Sequence, residues 1–276
     1  MDIITSVTAL RERLQREPNN VFVPTMGNLH EGHIDLIRIG KPKAACTVVS
    51  IFVNRLQFGP KEDFERYPRT FQSDCDKLRN AGVNVVFAPD EKEIYPEAQT
   101  FTVEPSDLQH ILDGAFRPGH FRGVATVVLK LFNMVMPHAA IFGKKDYQQY
   151  LVLRDMVHQF ALPVEIIPAE TVRAADGLAL SSRNGYLSAA ERAEAPRLYA
   201  LLKDARERIE KSERNYQRIE LEGMALLSQH GWAPQYISVR RRVDLQAPSP
   251  ADRELVVLAA AYLGKTRLID NIEITR

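Results

Sequence analysis

Short apolar runs rich in β-branched residues alternate with helix-period stretches over the N-terminal part of the chain, and this alternation constrains the fold most strongly. The predicted strands cover residues 21–25, 46–53, 83–88, 139–142 and 164–167, and the predicted helices cover 32–39, 73–80, 124–136 and 146–160. Parallel strands joined by right-handed helical crossovers produce this pattern, with helices on both faces of the sheet. We therefore predict an α/β fold with a Rossmann-like parallel sheet in residues 1–176.

The pattern changes after residue 176. Ser188-Ala-Ala-Glu191 has the spacing of a capping box and opens a long helical region rich in Ala, Arg and Glu, in which Pro196 marks a break or a second helix start. Three strand-like runs follow at residues 236–243, 254–262 and 267–274. The last two runs have no helix between them, which indicates an antiparallel meander. We predict a smaller α+β domain in residues 177–276.

The charges of the chain nearly cancel. Lys and Arg number 36 and Asp and Glu number 35, which gives a formal net charge of +1. Proteins that bind nucleic acid non-specifically carry a basic excess, so we predict no nucleic-acid partner and expect local groups to meet any anionic ligand. The two cysteines cannot form a disulfide framework, and neither an export signal nor a membrane-spanning apolar run is apparent. A cytoplasmic protein without a membrane partner is predicted.

Residues 23–34 combine a buried strand, a glycine turn and two histidines where a helix begins. Free N–H groups and the positive dipole end of such a helix form an anion site. Gly27 and Gly32 would let the backbone approach a polyphosphate, and His30 and His33 can donate hydrogen bonds to the same phosphate. The alternative is a surface or packing pair. Zinc is disfavoured, because the spacing is one residue shorter than in the zinc helix motif.

Lys145 and Asp146 follow a predicted strand and precede a helix, where the ligands of parallel sheets bind. Lys145 suits a phosphate. Asp146 is either a helix N-cap or a neighbour of magnesium and ribose, and the two roles are compatible. Gln149 lies one turn along the helix and either reaches back over the same edge or is solvated.

Two further segments carry groups that suit phosphates. Residues 180–183, Leu-Ser-Ser-Arg, offer two hydroxyls and a guanidinium near the predicted domain junction; composition alone favours an ordinary serine-rich linker. Arg117, His120 and Arg122 form a locally positive loop, for which the alternative is a solvated face. We take these three as second-rank candidates for substrate or phosphate contact.

Residues 24–33, Pro-Thr-Met-Gly-Asn-Leu-His-Glu-Gly-His, resemble the HIGH-type signature of the nucleotidylyltransferase superfamily, in the form found in the pantoate–β-alanine ligase family. Further blocks follow the pattern of that family in order: residues 50–54 (SIFVN) with 57–59 (QFG), 67–70 (YPRT), 117–124 (RPGHFRGV), 145–149 (KDYQQ), 176–184 (DGLALSSRN) and 267–271 (RLIDN). These blocks cover both predicted domains and are far more specific than a bare pair of histidines.

The resemblance implies an ATP-dependent condensation of pantoate with β-alanine through a pantoyl adenylate, with release of pyrophosphate and AMP. It implies ATP and Mg²⁺ as cofactors, a homodimer, and a C-terminal lid domain. Phosphoryl-type transfer needs positioning and cations more than a protein nucleophile, which fits the blocks.

The resemblance also implies roles for individual residues. The catalytic residues would be His30, His33, Lys145 and Arg183. The ATP-binding residues would be Pro24, Met26, Gly27, His30, His33, Gly143, Lys145, Asp146, Val172, Leu180, Ser181, Ser182 and Arg183. Pantoate would be bound by Asn54, Gln57 and Gln149, and β-alanine by Gln57. Tyr67 joins Arg117, His120 and Arg122 in the second rank. No protein ligand of magnesium is assigned; Asp74 is the nearest candidate.

The sequence departs from the family pattern at two positions, and two other functions stay open. Arg55 stands where proline is usual, which puts the stiffness of the loop before Gln57 in doubt. Lys144 replaces an acidic residue, with an expected effect on nucleotide affinity or its salt dependence. A nucleotidylyltransferase that acts on a phosphate ester would need cations in place of Gln57 and Gln149. A HIGH-type RNA-binding module would need a basic, aromatic surface that this composition lacks.

Overall fold

The computed structural model describes residues 1–60, 62–105 and 107–276. The chain forms two compact units. The first comprises Met1–Lys144 and Val152–Glu170, and the second comprises Lys145–Leu151 and Thr171–Arg276. The prediction had a single boundary after residue 176. In the structure, residues 145–151 and 171–176 belong to the second unit.

A six-stranded sheet forms the centre of the first unit. Its strands are β1 (Asp2–Ile4), β2 (Asn20–Thr25), β3 (Cys46–Ile51), β4 (Val85–Phe87), β5 (Ala139–Gly143) and β6 (Glu165–Ala169). They lie in the order β1-β4-β3-β2-β5-β6, and every pair is parallel. The five predicted strands and the α/β class are confirmed. The prediction missed β1, because three residues at an exposed sheet edge are too few to show a period.

The helices of this sheet domain are α1 (Val7–Leu14), α2 (Glu31–Gly40), α3 (Phe71–Asn80), α4 (Glu91–Ile94), α5 (Asp113–Phe116), α6 (His120–Val135) and α7 (Tyr147–Gln159), the last of which begins in the second unit. Short 3-10 helices cover Lys41–Lys43, Arg55–Gln57, Asp107–His110 and Lys144–Asp146. The four predicted helices are confirmed. However, α6 begins four residues earlier than predicted, which places His120 in its first turn.

Apolar side chains cover both faces of the sheet. Val21 of β2 belongs to the same buried cluster as Ile37 of α2. The next residue, Phe22, points to the opposite face, where the Phe132 ring of α6 packs edge-on against Phe22 and Phe142 with ring centroids 6.4 Å apart in both pairs. Burial of such a side chain stabilises the fold by about 1.5–3 kcal/mol.

The strand order identifies the ligand-binding edge of the sheet. From β2 the chain proceeds to β3 and β4 on one side, and it then returns to β5 on the other. In open parallel sheets ligands bind outside the carboxyl ends of the strands at this switch. The segments that follow β2 and β5 are those that the sequence singled out.

The second unit contains α8 (Ala189–Glu194), α9 (Arg197–Glu210), α10 (Tyr216–Gln229), β7 (Trp232–Arg241), β8 (Glu254–Leu263) and β9 (Thr266–Thr275), with a 3-10 helix at Ser182–Tyr186. The strands form an antiparallel sheet in the order β7-β8-β9, which confirms the predicted meander. Ser188 and Glu191 form the predicted capping box, and Pro196 is the N-cap residue of α9. Apolar residues of β8 and of both long helices form its core.

Contacts with β9 explain why two segments join the second unit. Asn271 Nδ2 donates to the carbonyl oxygen of Lys145 (3.0 Å), and the Tyr147 hydroxyl donates to Glu273 Oε1 (2.9 Å). Arg173 forms a bidentate ion pair with the buried carboxylate of Asp270, at 2.6 and 2.8 Å. These pairs connect residues about a hundred positions apart, so their contacts cannot be recognised from local sequence patterns.

Candidate active site

The turn between β2 and α2 is held by hydroxyl groups at the end of the sheet. Thr25 Oγ1 donates to the carbonyl oxygen of Ser50 (2.6 Å) and accepts a hydrogen bond from the N–H of Gly27 (3.2 Å). Gly27 has φ +80°, and a Cβ there would lie 3.1 Å from Ile51 Cγ2. Both the backbone conformation and the lack of space therefore favour glycine.

Helix α3 fixes the same turn from the other side. The carboxylate of Asp74 accepts hydrogen bonds from the backbone N–H groups of Asn28 and Leu29 (2.8 Å each) and from Thr70 Oγ1 (3.0 Å). Lys77 Nζ donates to the carbonyl oxygen of Leu29 (2.6 Å). Asp74 has no exposed surface. Both carboxylate oxygens hold the turn, and magnesium near Asp74 stays a prediction.

His30 and His33 cap α2 reciprocally. Nδ1 of His30 accepts from the N–H of Gly32 (3.1 Å), and Nδ1 of His33 accepts from the N–H of His30 (3.2 Å). The ring centroids are 4.1 Å apart, so the structure brings the two rings together as their spacing predicts. Since Nδ1 is the acceptor in both rings, a neutral imidazole carries its proton on Nε2. Both rings therefore have an Nε2–H donor at the N-terminus of a helix.

Three predicted ligand-binding residues form one buried cluster. Asn54 Nδ2 donates to Gln57 Oε1 (3.1 Å) and to the carbonyl oxygen of Gly123 (3.2 Å). Gln57 Nε2 donates to Met26 Sδ (3.2 Å), and the Tyr95 hydroxyl donates to Asn54 Oδ1 (2.8 Å). The turn that carries the histidines is thus in direct contact with the Gln57 amide through Met26.

Gly123 allows α6 to approach the 3-10 helix Arg55–Gln57. A Cβ at Gly123 would lie 2.2 Å from the carbonyl oxygen of Leu56 and 2.7 Å from Gln57 Cα. Neither backbone atom can move aside without shifting the loop. In the sequence Gly123 belongs to the family block 117–124, but no role is predicted for it.

An ion pair and a buried histidine hold the backbone of Gln57. Arg117 donates to both carboxylate oxygens of Glu62 (2.6 and 2.8 Å), and its Nη1 lies 2.9 Å from His120 Nε2. A guanidinium can only donate, so Nε2 accepts and His120 Nδ1–H donates to the carbonyl oxygen of Gln57 (2.8 Å). This is the opposite tautomer from that of His30 and His33.

Electrostatics keeps this histidine neutral. Burial, reinforced by the positive charge of Arg117, lowers the pKa of His120 from 6.5 to about 4. Burial alone would raise the pKa of Glu62, but its bonds with Arg117 lower it overall. The polar atoms of Arg117 and His120 contact Glu62 and Gln57, and a contact of either residue with substrate or phosphate stays a prediction.

The other second-rank candidates lie in different environments. Arg122 is exposed and pairs with Glu104 (3.2 Å). The Tyr67 ring is buried and packs edge-on against Phe58, with ring centroids 5.9 Å apart. A ligand contact for Arg122 stays a prediction, whereas Tyr67 supports the loop that follows Gln57.

Both departures from the family pattern have partners in the structure. The Arg55 guanidinium lies 4.0 Å from the centre of the Phe64 ring and 3.4 Å from Glu65. The contact ties the Arg55 side chain to residues 64 and 65, whereas a proline would have fixed φ. Lys144 is buried, and its Nζ lies 2.5 Å from Glu170 Oε1. The positive charge of Lys144, which stands where the family pattern has an acidic residue, is thus compensated by the Glu170 carboxylate of the same unit.

Of the remaining candidates, Pro24 lies in β2 and Gly143 at the end of β5, both in the first unit, and the others belong to the second unit. Lys145 Nζ lies 3.5 Å from the half-exposed carboxylate of Asp146, and Gln149 is partly buried in the first turn of α7. The N–H of Leu180 donates to the carbonyl oxygen of Val172 (2.9 Å), which brings these two predicted ATP-binding residues together.

The serine-rich segment is ordered by its own side chains. Ser181 Oγ accepts from the N–H of Arg183 (3.3 Å) and caps the 3-10 helix Ser182–Tyr186. Ser181, Ser182 and Arg183 are all partly buried. This segment is therefore a structured turn rather than an irregular linker.

The described ranges, 1–60, 62–105 and 107–276, lack two features. Within them no group of three or more His, Cys, Asp and Glu side chains could hold a metal ion. None of the helices in the same ranges is long and apolar enough to cross a membrane.

A family model described as pantoate-beta-alanine ligase matches residues 2–273. The chain belongs to the pantoate-beta-alanine ligase family. A pantothenate synthetase of Nitrosospira multiformis is 56% identical over 275 residues, which cover 100% of this chain and 99% of the relative. The chain is therefore a ligase that forms a C–N bond in the ATP-dependent condensation of pantoate with β-alanine.

Solved structures show the same fold. Pantothenate synthetase from Thermus thermophilus is 42% identical and superimposes with a TM-score of 0.95 over 100% of both chains. The pantoate-beta-alanine ligase of Francisella tularensis, solved in complex with beta-gamma ATP and beta-alanine, is 34% identical with a TM-score of 0.84 over 99% of this chain and 97% of that one.

Proposed function

We propose that the chain activates pantoate as pantoyl adenylate and then transfers the pantoyl group to β-alanine. In the first step a carboxylate oxygen of pantoate attacks the α-phosphorus of ATP, and the bond to pyrophosphate breaks. In the second step the amine of β-alanine attacks the acyl carbon, the C–N bond forms, the amine loses a proton and AMP leaves. One observation carries this proposal: Met26, in the turn that positions His30 and His33, contacts the Gln57 amide.

The histidine pair is proposed to stabilise the charge at the α-phosphate. The structure gives each ring an Nε2–H donor at the positive end of α2, where an anion binds favourably. The donors are fixed before the substrate binds, because Nδ1 of each ring caps the helix. Preorganised donors of this kind stabilise the transition state without reorganisation.

Cations and hydroxyl groups of the second unit are proposed to bind the rest of the nucleotide. Lys145 suits a phosphate oxygen, and Ser181, Ser182 and Arg183 suit the β- and γ-phosphates. Arg183→Ala is expected to slow adenylation but to leave the second step nearly unchanged when pantoyl adenylate and β-alanine are supplied, since pyrophosphate has already left. Rapid-quench measurement of both half-reactions checks this, and equal slowing of both would contradict it.

Neutral amides are proposed to bind pantoate. Asn54, Gln57 and Gln149 offer both donors and acceptors, which suit hydroxyl groups and a carboxylate. Gln57 is also proposed to contact β-alanine. A phosphorylated acceptor would favour Arg or Lys at these positions.

Magnesium, the homodimer, the lid role of residues 177–276 and the cytoplasmic location remain proposals that rest on the family resemblance. The carboxylate of Asp74 holds the turn after β2, and its proximity to the metal is part of this proposal. Mg²⁺ commonly binds through substrate phosphates and water, and we propose that it enters with the triphosphate.

Pyrophosphate release from ATP tests the function. The expected result is release that requires pantoate among a panel of hydroxy acids, with pantothenate formed only when β-alanine is added. Release that requires a phosphate ester instead would favour another nucleotidylyltransferase. Retention of RNA on a filter at low salt, without ligase activity, would favour the RNA-binding module.

A further inference from the structure

Tyr95 lies outside the residues that the sequence analysis selected, yet its hydroxyl is bonded to the ligand-binding cluster. It directly follows α4 and is 41 residues from Asn54, to which it donates a hydrogen bond of 2.8 Å. Its ring packs against Phe52 at a centroid distance of 6.2 Å, and Lys130 Nζ lies 4.8 Å from its centre. The position of the hydroxyl is therefore set by packing from several elements.

The chemistry of the partners fixes which way each amide points. The carbonyl oxygen of Gly123 can only accept, so the Asn54 atom that faces it is Nδ2. Oδ1 must then face Tyr95, whose hydroxyl donates. The same Nδ2 donates to Gln57 Oε1, which leaves Gln57 Nε2 directed towards Met26.

We infer that Tyr95 is a positioning residue that sets the orientation of the Gln57 amide through Asn54. The inference rests on the proposed role of Gln57 in pantoate binding. His120 and Gly123 hold the backbone of Gln57 independently. Loss of the Tyr95 hydroxyl therefore changes the direction of the Gln57 side-chain amide while the backbone of Gln57 stays in place.

The phenol stays a donor throughout the working pH range. Burial, together with the nearby charge of Glu91, raises the pKa of Tyr95 well above its usual value. Asn54 is almost completely buried, so water cannot easily replace the lost hydroxyl at Oδ1. Without that partner Asn54 Oδ1 is left buried and unpaired, so the Asn54 amide loses one of the hydrogen bonds that hold it and orients Gln57 Oε1 less firmly.

Tyr95→Phe tests the inference by removing one hydroxyl and keeping the ring. We expect the KM for pantoate to rise about tenfold, as for loss of one buried hydrogen bond, with a smaller change in the KM for ATP. Discrimination against a pantoate analogue that lacks one hydroxyl should shrink, because a rotating amide reads the hydroxyl less precisely. If Tyr95 had only a structural role, its loss would weaken the binding of pantoate and ATP equally and leave the discrimination between pantoate and the analogue unchanged. That result would overturn the inference.

A double-mutant cycle separates this inference from the proposed function. In Gln57→Ala, the further change Tyr95→Phe should have no additional effect on the KM for pantoate. If Gln57→Ala itself leaves that KM unchanged, the proposed role of Gln57 fails. If Gln57→Ala raises the KM for pantoate but Tyr95→Phe does not, only the positioning role of Tyr95 fails. The same holds if the increase in the double variant equals the product of the two single increases.

Tyr216→Phe is the matched control. Its buried hydroxyl has no hydrogen-bond partner among the residues that the structure describes, and it belongs to the second unit. The kinetic constants should not change in this variant. All variants are compared at a temperature at which circular dichroism shows them folded, and calorimetric titration of pantoate supplies a binding constant independent of turnover.

Discussion

The turn that carries the histidines and the loop that carries Gln57 lie in the same unit, but they are built differently. Backbone N–H groups two and three residues away hold the rings of His30 and His33 at the start of α2. Gln57 depends on partners 63 and 69 residues from its loop, at His120 and Gly123. The groups proposed to meet the α-phosphate thus lie within one local motif, whereas the groups that position the Gln57 amide, proposed to bind pantoate, come from distant parts of the chain.

The largest effect is expected from a substitution in the turn that carries the histidines. His33→Asn keeps an acceptor near the position of Nδ1 but has no donor at the position of Nε2. Loss of one preorganised donor should slow adenylation by about 10² to 10³, with little change in stability. His33→Gln, whose amide reaches the Nε2 position, should lose less. Single-turnover pyrophosphate release measures both, and equal rates in His33→Asn and the wild type would rule out the donor role.

The next largest effect is a change of stability with pH. It is caused by His120, which holds the backbone of Gln57 from a distant part of the chain. The unfolded chain binds a proton at His120 with the ordinary pKa of 6.5, whereas the folded chain keeps the ring neutral down to about 4. The unfolded state therefore binds more protons in this range, and stability should fall as the pH falls from about 6.5 to 4, by on the order of 3 kcal/mol.

Urea denaturation at several pH values checks this, with His120→Asn as the comparison. The variant keeps an amide N–H for the Gln57 carbonyl but does not titrate. The difference in stability between the two proteins should shrink as the pH falls. A constant difference across the range would show that His120 titrates normally in the folded state.

A smaller effect is expected from Gly123→Ala. The added methyl group would overlap the carbonyl oxygen of Leu56, and relief of that overlap should cost about 1–3 kcal/mol and displace Gln57. The KM for pantoate should rise more than that for ATP. At Gly185 a Cβ meets nothing within 4 Å, so Gly185→Ala should change stability by less than about 1 kcal/mol. Equal stability losses in the two variants would show that the close approach of α6 to Leu56 does not require glycine at position 123.

The smallest effect is expected at Lys144, outside both regions. Its partner Glu170 is largely exposed, so Glu170→Gln should reduce stability by less than about 1 kcal/mol. The affinity for ATP should become more dependent on salt, because Lys144 loses the negative charge of Glu170. Titration of ATP at two salt concentrations measures this, and an unchanged salt slope would show that Lys144 does not act on the nucleotide.

The sequence predicted what local patterns encode. The parallel sheet, the meander and the pairing of His30 with His33 follow from period, capping and spacing. Arg117 and His120 were recognised as functional candidates, but their partners Glu62 and Gln57 lie too far along the chain for their positioning role to be predicted. For the same reason the buried, structural role of Asp74 and the contacts that attach residues 145–151 to β9 could not be predicted.

Isotope exchange between pyrophosphate and ATP detects the formation of pantoyl adenylate alone, and it therefore tests whether His33 acts in this step. Exchange should require pantoate, proceed without β-alanine, and be reduced by about 10² to 10³ in His33→Asn. Exchange that occurs only when β-alanine is present, or that proceeds at the wild-type rate in His33→Asn, would contradict it.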